Sequence, residues 1–273
     1  MPIDFPQPMK SSQNDEAGYN AVHKRVLDLT GIDLDSYKRP QMLRRLDAII
    51  SRRQLNGLAQ LASELKPGSE LLQEFMERFT INVSECFRDK PRFEILANQI
   101  IPEALKRTQR VRLWSAGCSY GAEPYSISLI FQELHTAGCT ITATDIDPKI
   151  LAAARAGESF TANDLKNLPA NLASKYFTHL PNGNYRVSDS LKPAITFKQH
   201  NLLSPPPDSN FDIVVCRNVT IYFTEEAKDR VTQYLVNALK PGGILFIGET
   251  ETIHRPNRFG LSLRSTSFYE RAA

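Results

Sequence analysis

LWSAGCSYGAEPYSISL, residues 113–129, decides how the chain is read. With the two residues before it, VRLWSA at 111–116 has the pattern of a buried strand. Gly117 and Gly121 then punctuate a short turn, and a helix is predicted from about Glu123 to His135. Further along, Thr140–Ile146 (TITATDI) reads as a second strand and Pro148–Ala156 as a second helix. FDIVVC at 211–216 is a strand buried on both faces, Glu225–Leu239 a helix, and Ile244–Gly248 another strand. Pro241-Gly242-Gly243 breaks the chain between those last two. Strands alternating with helices predict right-handed crossovers and a mainly parallel sheet with helices on both sides.

Upstream the pattern is different. Residues 1–18 are polar and proline-rich and are expected to form a flexible tail. From 19 to 88 every periodic segment reads as helix. Tyr19, Val22, Val26 and Leu29 share one face, and Gly31 is a stop. A second helix starts near Pro40 and ends at Asn56-Gly57; a third covers Glu70 to Ile81, with Leu72, Phe75 and Phe79 inward. This predicts an all-helical N-terminal domain at 19–88 and an α/β domain at 89–273. Between Leu165 and Gln199 the alternation stops. A turn at Asn182-Gly183-Asn184 sits among short β-like stretches, Tyr185–Val187 and Ile195–Phe197, which predicts a small antiparallel β subdomain at 165–199.

Composition excludes several classes. Lys and Arg number 33 against 30 for Asp and Glu, a net charge of +3, too mild to argue for nucleic acid. Cys86, Cys118, Cys139 and Cys216 form no CxxC pair and the five histidines are scattered, so no metal site is read. The N-terminus lacks a secretory signal pattern, and no apolar run approaches the roughly 20 residues that cross a bilayer. A cytoplasmic protein is expected.

An open parallel sheet binds ligands at the carboxyl ends of its strands. There the first strand leads into Gly117, whose lack of a side chain allows a positive φ and close approach, and the second ends in Asp145, a carboxylate suited to ribose hydroxyls. A dinucleotide site wants G-x-G-x-x-G with a helix N-terminus facing pyrophosphate. This loop has G-x-x-x-G and places Glu123 at the helix start, where a carboxylate repels pyrophosphate but suits an ammonium or sulfonium. S-adenosylmethionine fits and NAD fits poorly, although glycines in such a turn also serve chain geometry alone. Asn201-Leu202, Arg217-Asn218 and the stretch 82–89 (NVSECFRD) are candidates for the same site.

Together NVSECFRD (82–89), LWSAGCSYGAEPYSISL (113–129), TATDID (142–147), HNLL (200–203) and CRNVTIYF (216–223) resemble the CheR family of chemotaxis receptor glutamate methyltransferases. The resemblance implies a Rossmann-like methyltransferase sheet, S-adenosylmethionine as cofactor and S-adenosylhomocysteine as product. Its cofactor contacts carry over to Asn82, Ser84, Arg88, Glu123, Asp145, Asn201, Leu202, Arg217 and Asn218. Ser84 stands where the family usually has Thr, Cys86 where an aromatic is common, and Thr220 where an aliphatic residue is usual. The resemblance also makes Arg88 and Tyr222 the positioning groups of catalysis. No general base is expected, since a glutamate of pKa ~4.3 is already ionised at neutral pH.

The predicted second helix carries Arg44, Arg45, Arg52 and Arg53. A solvated helix face accounts for them, and so does docking of an acidic partner. The resemblance favours docking on the helical cytoplasmic region of chemoreceptors by a monomer that neither enters the membrane nor binds nucleic acid. The short turn at Asn182-Gly183 implies recognition independent of a receptor C-terminal peptide. Rival readings are a nucleic-acid methyltransferase, against which stands Cys216-Arg217-Asn218-Val219 in place of an N/D-P-P-Y/F motif, and a non-catalytic nucleotide sensor.

Overall fold

A computed structural model describes residues 15–80 and 83–272. The expected tail therefore lies outside the described residues as far as Asn14, and so does Asn82. The chain divides into two compact units, Met1–Ile81 with Tyr222–Ala227, and Asn82–Ile221 with Lys228–Ala273.

The first unit is helical: α1 (Glu16–Thr30), α2 (Arg39–Arg53), α3 (Leu58–Glu64) and α4 (Glu70–Phe79). Residues 16–18, expected in the tail, already belong to α1 because the Asp15 carboxylate accepts from the Gly18 amide at 2.8 Å and starts the helix there. Gly31, at φ +71, closes it. α2 ends at Gln54 in a left-handed conformation, earlier than Asn56-Gly57. On α4 the inward residues are Leu71, Phe75 and Phe79, whereas Leu72 is half-buried. Tyr19, Val22, Val26, Leu46, Leu61 and Phe75 are among its buried core residues. The segment Tyr222–Ala227 is held here by antiparallel pairing: the Lys38 amide donates to the Tyr222 carbonyl at 2.9 Å and the Thr224 amide to the Ser36 carbonyl at 3.0 Å. The Tyr37 ring meets Phe79 and Phe223 edge-on. His23 has a carboxylate facing each ring nitrogen, Asp33 at 3.1 Å and Asp35 at 3.2 Å; Asp33 also caps the turn Leu34–Ser36.

The second unit contains α5 (Lys90–Ile95), a π-helical turn (Leu96–Ile100), α6 (Ile101–Arg107), β1 (Arg112–Ala116), α7 (Ala122–Glu133), β2 (Thr140–Asp145), α8 (Pro148–Ala156), α9 (Ala170–Tyr176), β3 (Phe177–His179), β4 (Tyr185–Val187), β5 (Ile195–Gln199) and β6 (Phe211–Cys216). α10 (Glu225–Ala238), which begins in the segment counted with the helical unit, is followed by β7 (Leu239–Ile247), β8 (Leu261–Ser265) and β9 (Phe268–Arg271). Seven strands form one sheet in the order β5-β2-β1-β6-β7-β9-β8, parallel from β5 to β7. β9 runs antiparallel between β7 and β8. All six residues of β6 are buried, as both-sided cover requires. One face packs Leu113, Ile141, Ile213, Val215 and Phe246 against Phe93, Leu96 and Ile101 of the α5–α6 stretch and Ile127 and Ile130 of α7.

The α/β expectation holds, with two differences in detail. Ile195–Gln199, expected in the inserted subdomain, is the parallel edge strand of the main sheet, paired with β2; only β3 and β4 form the separate antiparallel pair. Pro241-Gly242-Gly243 does not separate α10 from a strand. It is an irregularity inside β7, which pairs with β6 first at Leu239 and again from Ile244, with Gly242 at φ +72 absorbing the excursion.

Glu74, buried on α4, accepts from Arg53 at 2.6 Å and Arg78 at 3.2 Å. Burial pushes its carboxyl up, but the two guanidinium hydrogen bonds outweigh it and hold the pKa below the ordinary value. A depressed folded-state pKa contributes stability that is complete above the unfolded value and lost as pH falls through the folded one. Glu74→Gln should therefore flatten the acid-side decline of the thermal midpoint below about pH 4.5. An unaltered decline would show that the interaction contributes nothing there.

Candidate active site

The chain leaves β1 toward β2 and β5 on one side and returns to β6 and β7 on the other, so its direction reverses at the β1/β6 boundary. A parallel sheet opens a crevice outside the carboxyl ends of its strands at such a point. The loops after β1, β2, β5 and β6 all end there, and they carry most of the expected site residues.

After β1 the amides of Gly117 and Cys118 both donate to the Thr144 carbonyl at 2.8 Å, which folds the loop over the end of β2. The Ser119 amide donates to Asp145 Oδ2 at 2.8 Å, and the Asp147 amide to Oδ1 at 3.1 Å. Burial raises the Asp145 pKa, while these amides favour the charged form. Gly117 has φ +81, and a Cβ there would stand 2.6 Å from Val219 Cγ2 in the loop after β6. The glycine is thus required by the approach of two loops to each other, which the sequence attributed to a ligand.

Arg217 joins these parts. Its side chain is 2% exposed. The guanidinium lies over the rings of Phe93 and Phe246, which meet edge-on, 5.2 and 4.8 Å from their centroids. Nη1 donates to Glu123 Oε2 at 3.3 Å; Nη2 donates to Asp89 Oδ2 at 2.5 Å and to the Arg88 carbonyl at 2.8 Å. The other Glu123 oxygen accepts from the Ser115 hydroxyl at 2.7 Å. Burial pushes the Glu123 carboxyl up, and Arg217 pulls it back toward the charged form, followed by Ser115. Expected at the helix start to meet an ammonium or sulfonium, Glu123 is a buried ion-pair partner, and Arg217, expected as a cofactor contact, is a cross-link.

The segment after residue 82 is fixed to this unit. The Tyr120 hydroxyl bonds the Ser84 carbonyl and, at 3.0 Å, Asp164; the Cys86 amide donates to the Asp164 carbonyl at 2.9 Å. Ser84 and Arg88 are half-buried, and no described residue binds the Arg88 guanidinium. Cys86 is fully buried among Ala122, Tyr125 and Phe160, and burial pushes its thiol up to about 12, so it is a packing residue. Asn201 turns the chain, its side-chain oxygen accepting from the Leu203 amide at 3.0 Å, with Leu202 buried beside it.

Tyr222 belongs to the helical unit, where the Arg45 guanidinium lies 5.2 Å from its ring centroid. Arg45 also donates to the Phe79 carbonyl at 2.5 Å and is half-buried. Arg53 is engaged by Glu74, and Arg52 lies 3.6 Å from the same carboxylate; Arg44 is exposed. The expected docking face is thus an exposed pair, Arg44 and Arg52, beside two arginines tied into the fold.

Ser115, Asp89 and Glu251 were missed. Asp89 lies in the quoted stretch 82–89, and only its pairing with Arg217 gives it a part. Glu251 follows the end of β7 with no motif to mark it; its four hydrogen bonds are visible only in three dimensions.

S-adenosylmethionine presents an ammonium, a sulfonium, ribose hydroxyls and a carboxylate. The donor set meets these needs. Asp145, Glu123 and Asp89 gather acidic charge around the buried Arg217, whose Nε–H has no acceptor among the described residues, as suits a ligand carboxylate.

Residues 82–267 match the family described as CheR methyltransferase, SAM binding domain, and residues 17–80 match CheR methyltransferase, all-alpha domain. A chemotaxis protein methyltransferase of Listeria innocua is 36% identical over 94% of this chain and 97% of that protein. A protein of the same name from Listeria monocytogenes is 35% identical over 94% and 97%. Chemotaxis protein methyltransferase 1 of Pseudomonas aeruginosa is 34% identical over 82% and 86%.

Removing one partner of a buried ion pair strands the other, at a cost of about 3–5 kcal/mol. Arg217→Met should lower the thermal midpoint accordingly, and adding Glu123→Gln should recover part of the loss. Strictly additive losses in that double-mutant cycle would refute the coupling.

Proposed function

We propose that this chain, which belongs to the CheR methyltransferase family, methylates glutamate side chains in the cytoplasmic helical region of chemotaxis receptors. It is a methyltransferase with an S-adenosylmethionine-binding domain. The observation that carries the substrate's chemistry is Arg88. Arg217 pins its backbone carbonyl beside the buried acids, while its guanidinium is left for an incoming carboxylate.

When bound, S-adenosylmethionine supplies a methyl group on a sulfonium, a good leaving group. In the proposed site Asp145 accepts ribose hydroxyls, Glu123 faces the ammonium, and Asn82, Ser84, Asn201, Leu202 and Asn218 border the cofactor. Arg88 holds the glutamate carboxylate, and the Tyr222 hydroxyl orients the reacting atoms. The acceptor oxygen is already ionised, so the protein need only align it and exclude water. No proton has to be removed.

The receptor docks on the exposed arginines of α2, with attraction chiefly raising the encounter rate. The connection between β3 and β4 is short, from Leu180 to Asn184, and recognition proceeds without a receptor C-terminal peptide. The protein acts in the cytoplasm; among the described residues no helix is long and apolar enough to cross a membrane.

Tritiated methyl groups should pass from labelled cofactor to receptor membranes and be released by mild base as methanol. Base-stable label would exclude a carboxyl ester. In the same assay Tyr222→Phe should reduce kcat by about tenfold or more with little change in cofactor affinity; equal losses in both would make Tyr222 a binding residue.

Charge reversal at Arg44, the exposed arginine of the four with no carboxylate partner among the described residues, should raise the receptor KM several-fold at low salt, with the thermal midpoint preserved. An unchanged KM would place docking elsewhere.

A further inference from the structure

We propose that Glu251 is a positioning residue of the methyl-transfer site, fixing the loop from Arg217 to Thr220 in the conformation that presents Asn218 to the cofactor. This rests on the reading of the site given above.

Glu251 is 9% exposed and stands on the turn that leaves β7, its own amide donating to the Gly248 carbonyl at 3.0 Å. Its carboxylate accepts four hydrogen bonds. Oε2 takes the amides of Gly248 and Asn218, both at 2.8 Å; Oε1 takes the Thr220 amide at 3.0 Å and the Thr220 hydroxyl at 2.7 Å. A carboxylate offers about four acceptor positions, so donors and acceptors match. Three of the four donors come from the loop after β6, although the carboxylate sits after β7.

The loop needs such an anchor. Asn218 has φ +59, a left-handed conformation that a non-glycine residue holds only when its surroundings impose it. The approach is too close for a side chain at position 248: a Cβ there would stand 2.6 Å from Glu251 Oε2 and 3.1 Å from the Asn218 amide nitrogen. Thr220 also acquires a purpose. Its hydroxyl adds a fourth donor to the three amides, so the loop is tied more tightly to the acid. Arg217, one residue before Asn218, is fixed separately by Glu123 and Asp89. The two anchors hold adjacent residues, and the chain runs on to Tyr222.

Glutamine at 251 keeps the shape but offers about two acceptor positions and turns an NH₂ toward N–H groups. Glu251→Gln should weaken S-adenosylmethionine binding, measured by calorimetry, by about tenfold or more. Thr220→Val should weaken it by about threefold, and Thr220→Ser, which keeps the hydroxyl, should restore it. Thermal midpoints without cofactor are measured alongside. If Glu251→Gln lowers the midpoint but binds within twofold of the unaltered protein, Glu251 is a structural brace only and the proposal falls. If that variant does not fold, the threonine pair decides: weaker binding by valine and recovery by serine support the proposal, and equal affinities overturn it. Calorimetry needs no receptor, so failure of the receptor assignment would leave this result standing.

Discussion

The sheet unit depends on one desolvated cation. Arg217 sits at the reversal of strand order, packed over the rings of Phe93 and Phe246, and reaches α7 through Glu123 and the stretch before α5 through Asp89 and the Arg88 carbonyl. Burying a guanidinium costs several kcal/mol, recovered only when the charge partners and hydrogen bonds are all in place. Its geometry therefore admits little slack. The segment 87–89, with Phe87 and Asp89 both at positive φ, has no regular structure of its own to fix its course, and the arginine is among the contacts that define it.

The parallel sheet supplies the place and the loops supply the chemistry. Strand order brings the ends of β1, β2, β5 and β6 together, but parallel pairing alone leaves the loop backbones unsatisfied. Side-chain carboxylates complete them: Asp145 for Ser119 and Asp147, Glu251 for Gly248, Asn218 and Thr220. Acids near amides do two things at once. They fix the loops, and they give the crevice the negative charge that a sulfonium cofactor favours and a pyrophosphate does not.

Local chemistry explains what the sequence made legible. FDIVVC is apolar at five of six positions because both its faces are covered, so β6 could be read to the residue. α8 was equally plain, with Asp147 as cap, Pro148 in the first turn and Gly157 as stop. The helical stretch 90–107 escaped notice because a π-helical turn shifts its periodicity midway and its buried residues cluster with a sheet distant in sequence. The edge strand β5 was assigned to the insertion because half-exposed edge residues look alike in either sheet. For the site, Gly117, Glu123 and Asp145 could be found as residue types at strand ends. Their partners could not. That Glu123 faces Arg217, 94 residues away, is a consequence of topology that no local pattern carries.

Hydrogen-bond satisfaction distinguishes the groups that build this site from those assigned to its chemistry. Glu251 has every acceptor position filled, whereas Asp145, with one amide on each oxygen, keeps acceptor positions for a ligand, and Arg217 keeps its Nε–H and one Nη1–H. A group whose donors and acceptors are consumed within the protein can shape a pocket but has little capacity left for a substrate. The Arg88 guanidinium and the Tyr222 hydroxyl have no partner among the described residues, though the Arg88 backbone and the Tyr222 ring are both held, by Arg217 and Arg45. In the proposed methyl transfer nothing is deprotonated, so the rate depends on alignment. In Arg88 and Tyr222 the fold holds the main chain or the ring and leaves the polar end uncommitted.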